Sequence, residues 1–193
     1  REALRLAFEQ HKALAVGLKG VQQERTISDT FEQSASGETL ISLQGLNLLV
    51  GSGGVLSHAP RRVQSARMML DAFVPEGITV LAVDSIFMMP QLGVLAEVSA
   101  KAATDVFVAD CLIMLGSSVS PVGKGKHAQP CLKATLDLPA GRQTIEVPFG
   151  TMRRVAADVG VDVEANLEPA SGFDVGAGKG RALKATLHGG VAG

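Results

Sequence analysis

The sequence predicts an α+β protein in which an α/β half is followed by an antiparallel β domain. Three observations carry this expectation. Short apolar runs alternate with helix-period patterns through the first half of the chain. Between Ser117 and Gln129 the composition turns to Ser, Gly, Pro and Lys. Beyond that stretch the apolar period becomes two, the spacing of a sheet with one wet face. The division that follows is an α/β unit over 1–120, a linker over 121–130 and a β domain over 131–193.

The elements follow in order. Leu4, Phe8, His11, Ala15 and Leu18 stand three or four apart and form one face of an amphipathic helix that ends at Gly17 or Gly20. Strands are expected over Val21–Phe31 and Thr39–Val50, with Ser34–Gly37 as the loop between them. Leu46–Val50 is continuously apolar, as in a strand covered on both faces. After Gly51-Ser52-Gly53-Gly54 comes a helical pattern through Val63, Ala66, Met69, Leu70 and Phe73, with Pro60 suited to its first position and Pro75 and Gly77 marking its stop. Ile78–Val83 is a second buried strand ending at Asp84, and a short helix runs over Gln91–Ala100. Ala102–Leu115 is apolar on nearly every side and predicts an enclosed helix stopped by Gly116. Four alternating runs then predict four strands: Leu132–Leu138, Ile145–Phe149, Val161–Leu167 and Leu183–Leu187.

Composition narrows the function classes. Hydrophobic residues are 46% and charged residues 19%, enough apolar surface to offset the entropy of ordering a globular core. With 18 basic against 19 acidic residues the net charge is −1, which supplies no field to attract a phosphate backbone, and without Trp or Tyr there are no stacking platforms for single strands. Nucleic acid is therefore not an expected partner. No apolar run approaches the roughly 18 residues of a membrane span, and no secretory pattern opens the chain, so a cytoplasmic protein is expected. Cys111 lies in an apolar run and Cys131 opens a strand, positions of packing residues rather than ligands. The chain opens on Arg1 with residues already helical, as a piece of a longer protein would.

The glycine turn is the main candidate for chemistry. A strand leading through Gly51-Ser52-Gly53-Gly54 into a helix presents backbone without Cβ atoms, so a flat or anionic ligand can approach closely. Tight packing of the turn explains the same residues equally well, and both readings stand. The dinucleotide fingerprint is not met, because Ser57 occupies the place of its third glycine. Gly176, Gly178, Lys179 and Gly180 miss the phosphate-loop spacing and read as a bulged β turn. Arg61 and Arg62 in a first helical turn oppose the macrodipole, so they either meet a phosphate or acidic partner or point into water. Ser57 and His58 can touch a purine, or His58 can cap the helix. His11, His58, His127 and His188 have no short metal spacing among themselves or with the cysteines, so no metal site is expected, and no residue is assigned a catalytic role.

The runs LLVGSGGVLSHAP, VLAVDSIFMMPQLGVLAEV, EPASGFDVGAGKG and LHGGVAG resemble the C-terminal part of the accessory family that accompanies glutamate (methylaspartate) mutase. That family is sometimes called MutL and is unrelated to mismatch repair; it lies in the acetate and sugar kinase, heat-shock cognate and actin superfamily. The resemblance implies that residues 1–120 are the second nucleotide-binding half of an actin-like ATPase fold. Adenosine would lie on the strand and two-glycine turn matched by Leu48–Gly54, followed by an aspartate and small-residue helix matched by Asp84 and Gly93–Ala96. His11 resembles a family histidine, although Lys12 and Ala13 replace the small residues that usually follow it. The implied binding residues are Gly51, Ser52, Gly53, Gly54 and Asp84, and the implied cofactor is ATP or ADP, with Mg²⁺ in the full-length parent. The phosphate loops and Mg²⁺ carboxylates belong to the family's N-terminal half, so this chain alone is not expected to hydrolyse ATP. The implied partners are an adenosylcobalamin-dependent mutase and that missing half. Two rival readings are a scaffold that binds protein or forms a homodimer through exposed sheet edges, and part of a small-molecule kinase of the same superfamily.

Overall fold

The computed structural model describes residues 1–15 and 42–192. The strand expected over Val21–Phe31, the Ser34–Gly37 loop, the start of the Thr39–Val50 run and the end of the first helix lie outside the described residues.

The first helix, α1 (Glu2–Leu14), carries acidic Glu2 in its first turn and His11 and Lys12 in its last, the polarity its macrodipole favours. Its apolar face rests on α3 (Arg62–Phe73), where the rings of Phe8 and Phe73 meet edge to face with centroids 5.1 Å apart. Arg1 adds an exposed ion pair to Asp71 at 3.1 Å.

A three-stranded sheet follows, made of β1 (Leu48–Gly51), β2 (Gly77–Asp84) and β3 (Leu112–Ser120), in that order. β1 and β2 are parallel, with Leu48 opposite Val80 and Gly51 opposite Val83, and β3 runs antiparallel to β2. The β1-to-β2 crossover contains a single turn, α2 (Gly54–Ser57), and α3. Leu56, Ala66 and Met69 from these helices pack on Leu81, Val83 and Leu115 in the first core. β2 is central and buried, as its apolar run predicts. β1 is shorter than expected, and among the described strands it is an edge with Leu48 45% exposed, so the strand expected to be covered on both faces is half open.

α3 begins at Arg62, two residues after Pro60, and Val74 ends it in the left-handed region at φ 44° with its N–H on the Leu70 carbonyl. The charged start is compensated locally. Arg62 donates to the Ser57 carbonyl at 2.6 Å, stapling the end of α2 to the start of α3, which is neither of the roles its position suggested.

After β2 the chain leaves as α4 (Met89–Val106) and returns through a single π turn, Phe107–Cys111, to β3. Ser99 breaks α4 with extended angles (φ −152°, ψ 96°), and its hydroxyl accepts from the Ala102 N–H. Two helical halves are thus present, as the sequence pattern requires, but the second stops well before Leu115. Leu112–Leu115 are strand, and Gly116 is not a helix stop: it sits in β3 at φ 129°, beside the register shift between Leu81 and Ala82. Nor is this helix enclosed. Only Leu92 and Ala103 are buried along α4, packing with Cys111, Met88 and Phe107; in the stretch expected to be enclosed Val106 is 37% and Val108 58% exposed, and before Ser99 Val94 is 72% and Val98 87% exposed.

The second half is the expected antiparallel sheet. β5 (Pro130–Leu138), β6 (Gly141–Pro148), β7 (Asp162–Pro169) and β9 (Leu183–His188) pair in the order β6-β5-β7-β9. Leu132, Ala134 and Leu136 alternate inward on β5, as do Val163, Ala165 and Leu167 on β7. The outer face is a polar ladder: Lys133 pairs with Glu168 at 3.5 Å, Thr135 with Thr144 at 3.2 Å, and Thr186 donates to Glu164 at 2.7 Å. A minor pair, β4 (Val122–Gly123) with β8 (Phe173–Asp174), occupies part of the expected linker. Finally the chain turns back at Gly189 and Gly190 to lie on β3, with the Val191 and Ala192 N–H groups on the Met114 and Leu115 carbonyls.

Candidate functional site

Because β1 and β2 are parallel, their carboxyl ends emerge on one side of the sheet, the place where open α/β sheets form ligand crevices. The glycine turn leaves β1 there and Asp84 closes β2 beside it. The Ser52 hydroxyl donates to Asp84 Oδ2 at 3.2 Å, and the Met89 N–H at the start of α4 donates to the same oxygen at 2.9 Å. Ser85, next in the chain, donates its N–H to the Cys111 carbonyl at 2.8 Å. Asp84 thus ties together the turn after β1, the end of β2 and the entry to α4.

Asp84 is fully buried and its Oδ1 has no hydrogen-bond partner among the described residues. Burial pushes its carboxyl up, but the N–H groups of Met89 and Met88, the Ser52 hydroxyl and the Ile86 N–H together outweigh that and hold it below the usual carboxylate range. It stays ionised. The nearby Cys111 thiol moves the other way, raised by burial first and by the negative charges of Asp84 and Asp110 after that, so it is a packed neutral group.

The glycines divide by what surrounds them. A Cβ on Gly51 would lie 2.9 Å from Met69 Sδ and 3.0 Å from Leu56 Cδ1, so this glycine lets α2 and α3 close onto the strand end. Gly53, at φ 99°, and Gly54 have nothing among the described residues within 4 Å of the corresponding point, so the backbone there is bare of them. Gly54 borders an open cleft of about 520 Å³ together with Val55, His58, Gln64, Arg67 and Met68, with Arg1 and Asp71 at its far side. Ser52 and Asp84 are not in its lining. The turn therefore has two sides, one fastened by Ser52 to the buried carboxylate and one open to the cleft through Gly54.

Residues flagged by the sequence fall on both sides. His58 closes α2, its N–H on the Gly54 carbonyl at 3.1 Å, and also lines the cleft. Ser57 is buried, and its hydroxyl has no partner among the described residues. Gln64 and Arg67 were not singled out from sequence. Their spacing of three on one helix face, just beyond a glycine turn, was the available signal. The DVGAGKG run forms the expected turn: Asp174 Oδ1 accepts the N–H groups of Gly176 at 2.7 Å and Gly178 at 2.9 Å, which hold its carboxyl below the ordinary range against a smaller effect of burial. Both cysteines are free and buried.

No curated protein and no solved structure matches the chain. Residues 1–111 match the MutL protein family, a stretch that holds the glycine turn, Asp84 and all of α4. More than half of the chain is covered by that match, and the chain belongs to the MutL family of glutamate mutase accessory proteins.

Proposed function

We propose that this chain supplies the adenosine side of an ATP or ADP site in an accessory or reactivating protein for an adenosylcobalamin-dependent glutamate mutase. The observation that carries this reading is the bare backbone at Gly53 and Gly54, the second of which lines the cleft. A purine lying there meets main chain at van der Waals distance, with no Cβ to lift it away.

Each residue of the turn then has a distinct task. Gly53 and Gly54 give close approach, and Gly51 sets the turn's depth by packing on Met69. Ser52 fixes its orientation through Asp84. The full burial of Asp84 makes it an anchor of the loop rather than a contact of the ribose. Phosphate and Mg²⁺ contacts are assigned to the family's other half. Nucleotide bridging the two halves would favour different closures in its triphosphate and diphosphate forms, and thereby different contacts with the mutase. The exposed valines of α4 give the protein-contact reading its own support, as a surface that such a partner would cover.

The test is calorimetric titration of ATP and ADP into the full-length protein and into Gly53→Val. Loss of binding in the variant, with its fold retained by circular dichroism, is the expected result. Equal affinity in the two proteins removes the turn from the site. Absence of any nucleotide effect on melting, with a stable mutase complex, leaves the scaffold reading in its place.

A further inference from the structure

A second cavity, of about 480 Å³, lies between α3 and β3 on one side and the inner face of the four-stranded sheet on the other. Ala134 is a small residue at the centre of that sheet, paired with Ile145 on one neighbour and Leu167 on the other, and the absence of a larger side chain there leaves the layers unfilled. An aliphatic void of about 150 Å³ already stays dry and takes up apolar molecules. This one falls within the roughly 300–1,000 Å³ of ligand pockets. Val63, Leu70 and Leu115 face Ala134, Leu136 and Val163 across it, and none of these side chains carries a donor or an acceptor. The Ser117 hydroxyl, also in the lining, is already engaged by the His188 N–H at 2.7 Å.

The exposed part of the lining is different in kind. Arg67 on α3 and Arg153 and Arg154 in the segment after β6 all border the cavity and all face solvent. None of the three forms an ion pair among the described residues. Met152, 65% exposed beside two of them, is an unbranched apolar side chain able to cover the opening. An apolar chamber whose mouth carries guanidinium groups with no carboxylate partner among the described residues complements a molecule with an aliphatic body and one anionic end.

We propose that this cavity binds a soluble aliphatic carboxylate, its chain lying over Ala134 and its carboxylate held by Arg153 and Arg154. This site is separate from the glycine turn and does not depend on the nucleotide reading. Dodecanoate below its micelle concentration, dodecanol and inorganic phosphate are titrated calorimetrically into the full chain, and melting is followed with each. Dodecanoate is expected to bind once per chain and raise the melting temperature, dodecanol to bind about tenfold more weakly, and phosphate not to bind. Ala134→Phe, which puts a ring into the chamber, should abolish dodecanoate binding. Arg153→Gln with Arg154→Gln, a change confined to the surface, should weaken dodecanoate about tenfold and leave dodecanol unchanged. If Ala134→Phe does not fold, the double arginine variant decides alone. No saturable binding of dodecanoate, or binding indifferent to both arginines, overturns the proposal. So does binding to anionic phosphatidylglycerol vesicles without uptake of free dodecanoate, which would make the basic rim a membrane contact.

Discussion

Gly54→Ala separates a glycine kept for a ligand from a glycine kept for the turn. Gly54 is the first residue of α2, its φ is not positive, and the point where its Cβ would stand has no neighbour within 4 Å among the described residues. The folded state therefore accepts the methyl group without strain, while the unfolded chain loses freedom, so stability should rise by about 0.4–1 kcal/mol. For a chain of this size that corresponds to a rise of roughly 1–4 °C in melting temperature. Nucleotide binding should move in the opposite direction. A methyl group standing into the cleft lifts a base from the backbone, and a gap of about 0.5–1 Å forfeits roughly a quarter to a half of each contact's attraction. A loss of about tenfold in affinity, near 1.4 kcal/mol, is the expected result. Scanning fluorimetry reads the first quantity and titration calorimetry of ADP the second, on the same preparation. A higher melting temperature with unchanged affinity would refute the reasoning, since it would show that nothing rests against the bare backbone.

Other predictions concern the scaffold of the site. Asp84→Asn removes the charge that accepts from Met89 and Ser52 and should cost about 1–3 kcal/mol in urea melts at neutral pH. Because the folded Asp84 carboxyl titrates below its unfolded value, its stabilisation is full above the ordinary carboxylate range and is lost as pH falls through the folded value; the gap between wild type and Asp84→Asn should narrow below about pH 4. Gly190→Ala would set a Cβ 2.3 Å from the Gly116 nitrogen and the Leu115 carbonyl carbon, both main chain, and should expose Val191 and Ala192 to rapid amide exchange. Leu167→Ala, at a fully buried position, should cost about 2–5 kcal/mol by chemical denaturation. Cys111 and Cys131, buried with raised thiol pKa values, should resist a disulfide reagent until the chain is unfolded, and fast native labelling of either would contradict the packing.

Much of this architecture was legible because period and polarity act locally. On β5 and β7 every second residue is apolar, and a pleated strand has no other way to send Leu132, Ala134 and Leu136 to one side and Lys133, Thr135 and Asp137 to the other. The strand, glycine turn, helix and strand order was equally readable, since Gly51–Gly54 and Pro75–Gly77 interrupt otherwise periodic segments. Run length misled where periodicity vanished. Leu112-Ile113-Met114-Leu115 is apolar throughout, so helix and strand are indistinguishable by pattern, and β2 decides the matter by pairing with it. Composition likewise predicted enclosure for the second half of α4, because a residue's own polarity says nothing about which surfaces are available to cover it. At the site, the packing reading of the glycines holds for Gly51, which is shaped by Met69 and Leu56, while Gly53 and Gly54 face open space among the described residues. The Ser52–Asp84 bond joins residues 32 apart, and no local signal announces it.

The returning C-terminal segment has one more effect. By placing the amides of Val191 and Ala192 on carbonyls of β3, it occupies part of the rim from which a sheet would otherwise recruit a foreign strand. Pairing of a second chain is thereby disfavoured along that part of the border, where the small residues Gly189 and Gly190 let the segment turn in to cover it.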